Sequence, residues 1–183
     1  MIPWYLLIVA GVLAALVILI LAIGASLPRE HVVTRSLTLA RAPEVVWPVV
    51  TDFAGQATWR PSLTRIERLP DSRGDGEVWR EVFGGMQIDL RVLEAQPPQQ
   101  MTPGRLVRKI VNDDLPFGGV WEYSLEPVAT GSESGCKLSI TERGEVKNPL
   151  FRFVSRFVMG HAATIEGYLK DLARKFGEPA TIG

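Results

Sequence analysis

The sequence predicts an α+β protein, in which a seven-stranded, curved antiparallel sheet wraps around a long C-terminal helix and a single transmembrane helix precedes both. Three observations support this prediction. An uncharged apolar run opens the chain, strand-like segments separated by turn residues fill its middle, and an amphipathic segment closes it. Strands and helices that are grouped apart along the chain are typical of α+β domains.

The apolar run extends over residues 2–27 and contains no charged side chain, because the first charge is Arg29. A helix needs roughly 20 apolar residues to cross the hydrocarbon core of a bilayer, and this run is longer. We therefore predict a transmembrane anchor over residues 1–28 and one soluble domain over residues 29–183.

The alternative for this run is a cleaved signal peptide. Such peptides have a positively charged start, an apolar core of only ~7–15 residues and a cleavage site of small residues. This chain lacks the charged start and its apolar run is too long, although small residues that suit a peptidase lie at 22–26. The retained anchor is the better interpretation.

Basic residues follow the apolar run but do not precede it. Arg29, Arg35 and Arg41 lie on its C-terminal side, and an excess of Lys and Arg marks the cytoplasmic side of a membrane helix. The single cysteine, Cys136, cannot form an internal disulfide, which agrees with a reducing compartment. We expect a single-pass membrane protein whose domain faces the cytoplasm.

The domain opens with a strand and two short helices. His31–Ala40 alternates apolar and polar residues, which predicts a strand. The sequence Ala42-Pro43-Glu44 then favours a helix start, because proline and an acidic residue suit the first helical turn. Apolar residues continue at helical spacing to Phe53, and a second short helix is predicted over Ala57–Arg60.

Six further strand-like runs follow, and short turns separate them. The turn residues lie at 71–76, 84–85, 97–98, 116–119 and 131–135. Short turns between alternating strands indicate an antiparallel meander. The predicted strands are Leu63–Leu69, Glu77–Phe83, Met86–Leu93, Arg105–Val111, Val120–Val128 and Lys137–Val146.

The chain closes with a segment that predicts one long helix over Pro149–Phe176. No proline interrupts it after Pro149, and apolar residues recur on one stripe at helical spacing. We expect this stripe to face the sheet. Its members are Val154, Val158, His161, Ile165, Tyr168, Leu169 and Leu172.

Composition excludes several classes of function. Twenty Lys and Arg residues balance twenty Asp and Glu residues, so no overall positive field attracts nucleic acid. The sequence has only two histidines and one cysteine, with no spaced set of metal ligands, no phosphate-binding loop and no nucleophile elbow. We expect no metal, no cofactor and no nucleic-acid partner.

Several short motifs lie along the domain at the ends of predicted elements. They are Ala42-Pro43-Glu44-Val45-Val46-Trp47, Asp52-Phe53, Trp59-Arg60-Pro61, Gly74-x-Gly76 and Ala95-Gln96-Pro97-Pro98. Together with the terminal amphipathic helix, these motifs resemble those of the START-like, or SRPBCC, superfamily, and in particular its polyketide cyclase/dehydrase and lipid-transport branch. The similarity covers roughly residues 31–176 and implies the helix-grip fold, with a hydrophobic cavity between sheet and C-terminal helix and no shared catalytic motif.

Aromatic side chains are the main candidates for lining such a cavity. Trp121 and Tyr123 share one face of their predicted strand, as Trp79 and Phe83 share a face of theirs. The alternative is ordinary core packing. The predicted ligand-binding residues are Trp59, Trp79, Phe83, Trp121, Tyr123, Val158, His161 and Ile165.

Two polar residues are weak catalytic candidates. Glu81 shares a strand face with Trp79, so it points inward if the aromatic face is the concave one. Burial there would raise its pKa unless a partner such as arginine holds its charge. His161 lies within the apolar stripe, where a histidine more often has a structural role than an acid–base one. Arg152 and Arg156 could meet anionic lipid head groups, or form a solvated face.

Three functions remain open from the sequence. The leading hypothesis is a membrane-anchored domain that binds a hydrophobic small molecule or lipid. The second is a cyclase or dehydratase that uses the same cavity, with Glu81 or His161 as acid or base. The third is a membrane-bound interaction or stress protein without a ligand.

Overall fold

The chain follows the predicted order of elements in a computed structural model that describes residues 3–70, 76–99, 102–130 and 133–183. The helices are α1 (Trp4–Ser26), α2 (Pro43–Thr51), α3 (Pro149–Val154) and α4 (Ala163–Phe176). The strands are β1 (Glu30–Leu39), β2 (Arg65–Leu69), β3 (Val78–Phe83), β4 (Met86–Gln96), β5 (Gly104–Ile110), β6 (Phe117–Thr130) and β7 (Glu133–Val146). Most of the predicted turns at 71–76 and 131–135, including Gly74, lies outside the described residues.

The seven strands form one antiparallel sheet, which confirms the predicted fold class. Their order is β1-β7-β6-β5-β4-β3-β2, so β1 and β2 are the two edges. The register Leu37↔Leu138 joins the first strand to the last. The chain end returns to the free side of β1, where Ser36 and Gly183 exchange two backbone hydrogen bonds of 3.0 Å.

The core lies between the inner face of the sheet and α4. Helix α4 buries Ile165, Tyr168, Leu169 and Leu172, whose spacing of three or four residues places them on one stripe. They pack with buried side chains of β1, β6 and β7, which alternate along each strand as predicted. The sheet-facing stripe of α4 therefore has the composition that the sequence predicts.

The C-terminal helix is interrupted, and the prediction of one long helix was wrong. Asn148 starts α3 by accepting a hydrogen bond from the Leu150 amide at 2.9 Å. A π-helix (Ser155–Met159) follows, and Gly160 then adopts a φ of 76° that only glycine readily takes. The chain changes direction there, so Val158 is 72% exposed instead of facing the sheet.

The second short helix also differs from its prediction. It is a 3₁₀-helix over Ala54–Thr58, which begins three residues earlier than expected. Asp52 accepts a hydrogen bond from the Gly55 amide at 3.1 Å, which stabilises this tight turn directly after α2. Gly55 therefore belongs to the helix and does not interrupt it.

Helix α1 is the one helix among the described residues that is long and apolar enough to cross a membrane. Its side chains are exposed along nearly its whole length, and only Gly24 near its end is buried. There Gly24 lies against the Pro149 backbone so closely that a Cβ would collide with the Pro149 carbonyl. The end of α1 therefore packs on the start of α3.

Arg152 completes this junction. The side chain is buried and donates hydrogen bonds to the Leu27 carbonyl at 2.8 Å and the Ala25 carbonyl at 3.3 Å. Carbonyls at a helix C-terminus lack partners within the helix and carry partial negative charge, so a guanidinium suits them. The expectations that Arg152 meets lipid head groups or lies on a solvated face were wrong, whereas Arg156 is exposed.

Candidate functional site

The space between the sheet and α4 is filled by aromatic side chains. The ring of Tyr168 from α4 lies 5.5 Å from Trp59, 5.8 Å from Tyr123 and 6.5 Å from Trp121, all with edge-to-face geometry. This geometry is favourable for aromatic pairs. The inward direction predicted for Trp121 and Tyr123 is correct, and both rings pack against the helix.

Most of the remaining predicted ligand-binding residues lie in or next to the same hydrophobic cluster. Trp79 lies 5.6 Å from Phe53, and Phe83 lies under the guanidinium of Arg60. Ile165 is fully buried in the core, and Val158 is exposed. One hydrophobic cluster therefore contains five of the eight residues, Trp59, Trp79, Trp121, Tyr123 and Ile165, whereas the exposed Val158 lies outside it.

Glu81 points inward, as predicted, and forms a buried ionic cluster with two arginines. Glu81 Oε1 lies 2.7 Å from Arg108 Nη1, and Oε2 lies 3.0 Å from Arg60 Nη1. Arg60 also donates a 2.7 Å hydrogen bond to Gln56 Oε1. The Arg108 guanidinium lies 4.5 Å from the centre of the Phe53 ring, a cation–π contact.

This cluster determines the charge of Glu81. Burial acts to raise the pKa of Glu81, but the two guanidiniums outweigh burial and hold that pKa below its ordinary value. The carboxylate therefore stays ionised at neutral pH and does not serve as a general acid. The arginine partner that the sequence left as an alternative is the arrangement found.

A cleft of about 760 Å³ lies at the end of the domain that meets the anchor. The connection from α1 to β1, the first half of β1 and the loop before α4 form its walls. The lining residues are Leu27, Pro28, Glu30, His31, Val32, Val33, Arg35, Val146, Arg152, Arg156, Gly160, His161, Ala162, Ala163 and Glu166. His161 alone among the predicted ligand-binding residues lines it.

Two glycines keep the inner face of the sheet open beside this cleft. Gly119 of β6 pairs with Gly144 of β7. A Cβ on Gly144 would collide with the imidazole of His31. One step further along the same face lie Trp121 and Glu142, which are large. The inner face therefore changes from filled to open at this pair of glycines.

Two histidines meet at the wall of the cleft. The His31 and His161 rings stack with their centres 4.1 Å apart and a 27° angle between their planes. Behind them, His31 Nε2 lies 3.4 Å from Glu142 Oε1. No local pattern in the sequence indicates this group, because 130 residues separate the two histidines. Gly144, which makes room for His31, also looks like an ordinary glycine within a strand.

Burial shifts the pKa of each of these three side chains. Burial lowers the pKa of His31, and burial together with the charges of His31 and Arg156 lowers that of His161. Burial raises the pKa of Glu142 to about 7, although a hydrogen bond with Trp121 opposes the rise. The cleft wall can therefore hold or release a proton, a property that acid–base chemistry requires. No group of three or more metal-ligating side chains occurs in the described ranges.

Charged side chains close the inner end of the cleft and mark its rim. Arg35 of β1 pairs with Glu166 of α4 at 3.0 Å, which joins strand to helix. Arg156 at the rim is exposed and has no ion-pair partner among the described residues. The cleft thus combines apolar walls with a polar, partly cationic edge, an arrangement that suits an amphipathic ligand.

Solved structures with this fold include two bacterial proteins and one plant protein. A START superfamily protein from Mycobacterium smegmatis is 18% identical in sequence and superposes with a TM-score of 0.57. The match covers 79% of this chain and 96% of the Mycobacterium smegmatis chain. Norcoclaurine synthase from Thalictrum flavum, in complex with dopamine and hydroxybenzaldehyde, is 14% identical with a TM-score of 0.58. The match covers 85% of this chain and 90% of the synthase chain. A hypothetical protein from Helicobacter pylori is 10% identical with a TM-score of 0.62. The match covers 79% of this chain and 87% of the Helicobacter pylori chain.

At these identities the similarity shows a common fold and no common activity. No curated protein matches this sequence. A family model does match, over residues 30–177, and covers β1 through the end of α4. The strand order, the inward aromatic face and the helix gripped by the sheet agree with that match. The chain therefore belongs to the polyketide cyclase/dehydrase and lipid transport family.

Proposed function

We propose that this protein is anchored in a membrane by α1 and binds a hydrophobic small molecule or lipid in the cleft beside the anchor. The observation that carries this proposal is the composition of the cleft wall. Leu27 and Pro28, which follow α1 directly, line the same space as residues of β1 and α4. A ligand in this cleft lies next to the bilayer, from which it is taken or to which it is delivered.

The size and surface of the cleft suit an amphipathic ligand. Its volume of about 760 Å³ falls within the roughly 300–1,000 Å³ of small-molecule sites. Val33, Val146 and Ala162 supply apolar surface. At ~25 cal/mol per Å², burial of about 200 Å² of apolar ligand surface contributes ~5 kcal/mol before the entropic cost of association is subtracted. Because association itself costs roughly 4–15 kcal/mol, apolar burial offsets only part of that cost, and polar contacts at the rim of the cleft must supply the remainder.

A pair of glycine variants tests this site. Gly144→Ala introduces a methyl group where His31 lies, so the imidazole must move into the cleft. Gly118→Ala, one strand away, adds the same methyl group with no atom within 4 Å. We expect native mass spectrometry of the detergent-purified full chain to show a co-purified lipid or small molecule, with occupancy reduced several-fold in Gly144→Ala and unchanged in Gly118→Ala.

Equal occupancy in the two variants contradicts the assignment of the ligand to this cleft. Absence of any bound molecule, together with no uptake of a hydrophobic fluorescent probe, favours the interaction or stress protein without a ligand. Both measurements use the protein with its anchor, because α1 and α3 are in contact.

We further propose that the anchor is retained and that the domain faces the cytoplasm. The basic residues after α1 support the orientation, and the burial of Arg152 against the Ala25 and Leu27 carbonyls supports retention. Protease added to intact cells or spheroplasts should leave the domain intact. Digestion from outside, or a mature N-terminus near Ser26, contradicts the topology.

An enzyme of the cyclase or dehydratase type is the second candidate, and the His31–His161–Glu142 group favours it. A histidine pair beside a carboxyl with a pKa of about 7 can transfer protons at neutral pH. In this candidate His161 takes the acid–base role that the sequence suggested, whereas Glu81 lies outside the group and is paired with two arginines. A substrate screen in which His161→Gln abolishes turnover, while ligand occupancy persists, makes this the better assignment.

A further inference from the structure

The segment Pro149–Met159 exposes a concentrated set of apolar side chains. Leu150, Phe151, Phe157 and Val158 are between 42% and 72% exposed, although they lie within nine consecutive residues. Phe153 and Phe157 also pair, with ring centres 5.0 Å apart. Soluble surfaces rarely carry so dense an apolar patch unless it is covered by something else.

The position of this segment indicates what covers it. Pro149 touches Gly24, which lies two residues before the end of α1, and a helix rises 1.5 Å per residue. The segment therefore begins within about 5 Å, along the helix axis, of the point where α1 ends. If α1 spans the bilayer, that level is the boundary between acyl chains and head groups.

We propose that Pro149–Met159 lies in the membrane interface as a second contact with the bilayer, with Leu150, Phe151, Phe157 and Val158 inserted among the lipids. This inference rests on the proposed function, since it requires α1 to be in a membrane. Interfacial helices place aromatic and aliphatic residues at the acyl boundary and keep basic residues at the head groups. Two exposed basic residues fit this arrangement, since Lys147 precedes the apolar residues and Arg156 lies among them.

This contact with the bilayer also determines where the cleft lies relative to the membrane surface. Arg152 and Arg156 belong to the segment and line the cleft, so a segment held at the bilayer surface brings the cleft to the same level. A lipid then reaches the cleft from the head-group region without crossing bulk water. The bilayer is favoured over a protein partner because the apolar patch is continuous with the end of α1.

Single-cysteine labelling of the full chain tests this proposal. The native Cys136 is fully buried and burial raises its pKa to about 12, so it does not compete for a thiol reagent. Val158→Cys reports on the segment. Val45→Cys is the matched control, since Val45 is also an exposed valine but lies on α2, beyond the ten residues of β1 that lead away from the anchor. Val12→Cys reports on the middle of α1.

Each variant carries an environment-sensitive nitrobenzoxadiazole label in phosphatidylcholine vesicles that contain shallow or deep spin-labelled lipid quenchers. We expect Val158→Cys to be quenched several-fold more than Val45→Cys, with the shallow quencher more effective. Val12→Cys should be quenched most by the deep one. Quenching at Val12 without quenching at Val158 overturns the interfacial segment and leaves the anchor intact. Absence of quenching at Val12 overturns both.

Discussion

Replacing Glu81 by glutamine tests whether the buried ionic cluster is structural. The carboxylate contacts Arg60 and Arg108 at 3.0 Å and 2.7 Å, and all three side chains are at most 6% exposed. Glutamine keeps the shape but removes the negative charge, so two guanidiniums lose their counterion in the core. Removing one partner of a buried ion pair costs roughly 3–5 kcal/mol.

This loss of free energy determines the expected decrease in melting temperature. For a chain of this size, 1 kcal/mol corresponds to roughly 2–4 °C, so Glu81→Gln should lower Tm by about 6–20 °C in a circular-dichroism melt. Glu122→Gln is a matched control because Glu122 also faces two arginines, Arg105 at 3.6 Å and Arg143 at 2.9 Å, but at the surface. Water already screens that group, so Tm should stay within error.

The pH dependence of the same variant follows from the lowered pKa of Glu81. A carboxyl with a depressed pKa in the folded state contributes stability that is present above the unfolded pKa, about 4.5 here, and is lost as the pH falls through the folded pKa. The advantage of the wild type over Glu81→Gln should be constant near neutral pH and shrink only below that value. An unchanged Tm in Glu81→Gln, with loss of a catalytic activity, would refute the structural role.

Three further results are expected. Glu142→Gln should raise the free energy of unfolding above pH 7 and lose this gain toward pH 5, because a carboxyl whose pKa burial raises to about 7 destabilises the fold most when ionised; a melt at both pH values checks this. Tyr168→Phe should leave Tm unchanged or higher, since its buried hydroxyl has no hydrogen-bond partner among the described residues; a decrease of several degrees contradicts this. The fragment 29–183 should melt cooperatively but at a lower temperature than the full chain, because Arg152 loses its acceptors at Ala25 and Leu27; a non-cooperative melt shows that α1 belongs to the core.

Local patterns in the sequence were sufficient for most of the fold. The alternation in β1 and β6 and the stripe of α4 follow directly from periods of two and of three to four residues, and short turns imply antiparallel pairing. The prediction of a continuous C-terminal helix was wrong for a specific reason. Gly160 is compatible with a helix by spacing, and no local pattern in the sequence indicates that it adopts a positive φ.

The candidate site was predictable only in part. The inward direction of Glu81 followed from alternation, but its partner Arg108 lies on a strand that is not adjacent to β3, and alternation does not identify it. The cleft depends on Gly144 making room for His31 and on the stack with His161, which are contacts between distant parts of the chain. Such contacts arise from the closed fold and leave no local signal.

The location of the ligand is the central claim, and photo-crosslinking measures it most directly. A diazirine-bearing fatty acid, added to the full chain in lipid nanodiscs and mapped by peptide mass spectrometry, should label residues 28–33 and 156–163 around the cleft. Gly144→Ala should reduce this labelling, and Gly118→Ala should not. Labelling concentrated on Trp59, Tyr123 and Tyr168 would show instead that the ligand enters between the sheet and α4, and would contradict the assignment to the cleft beside the anchor.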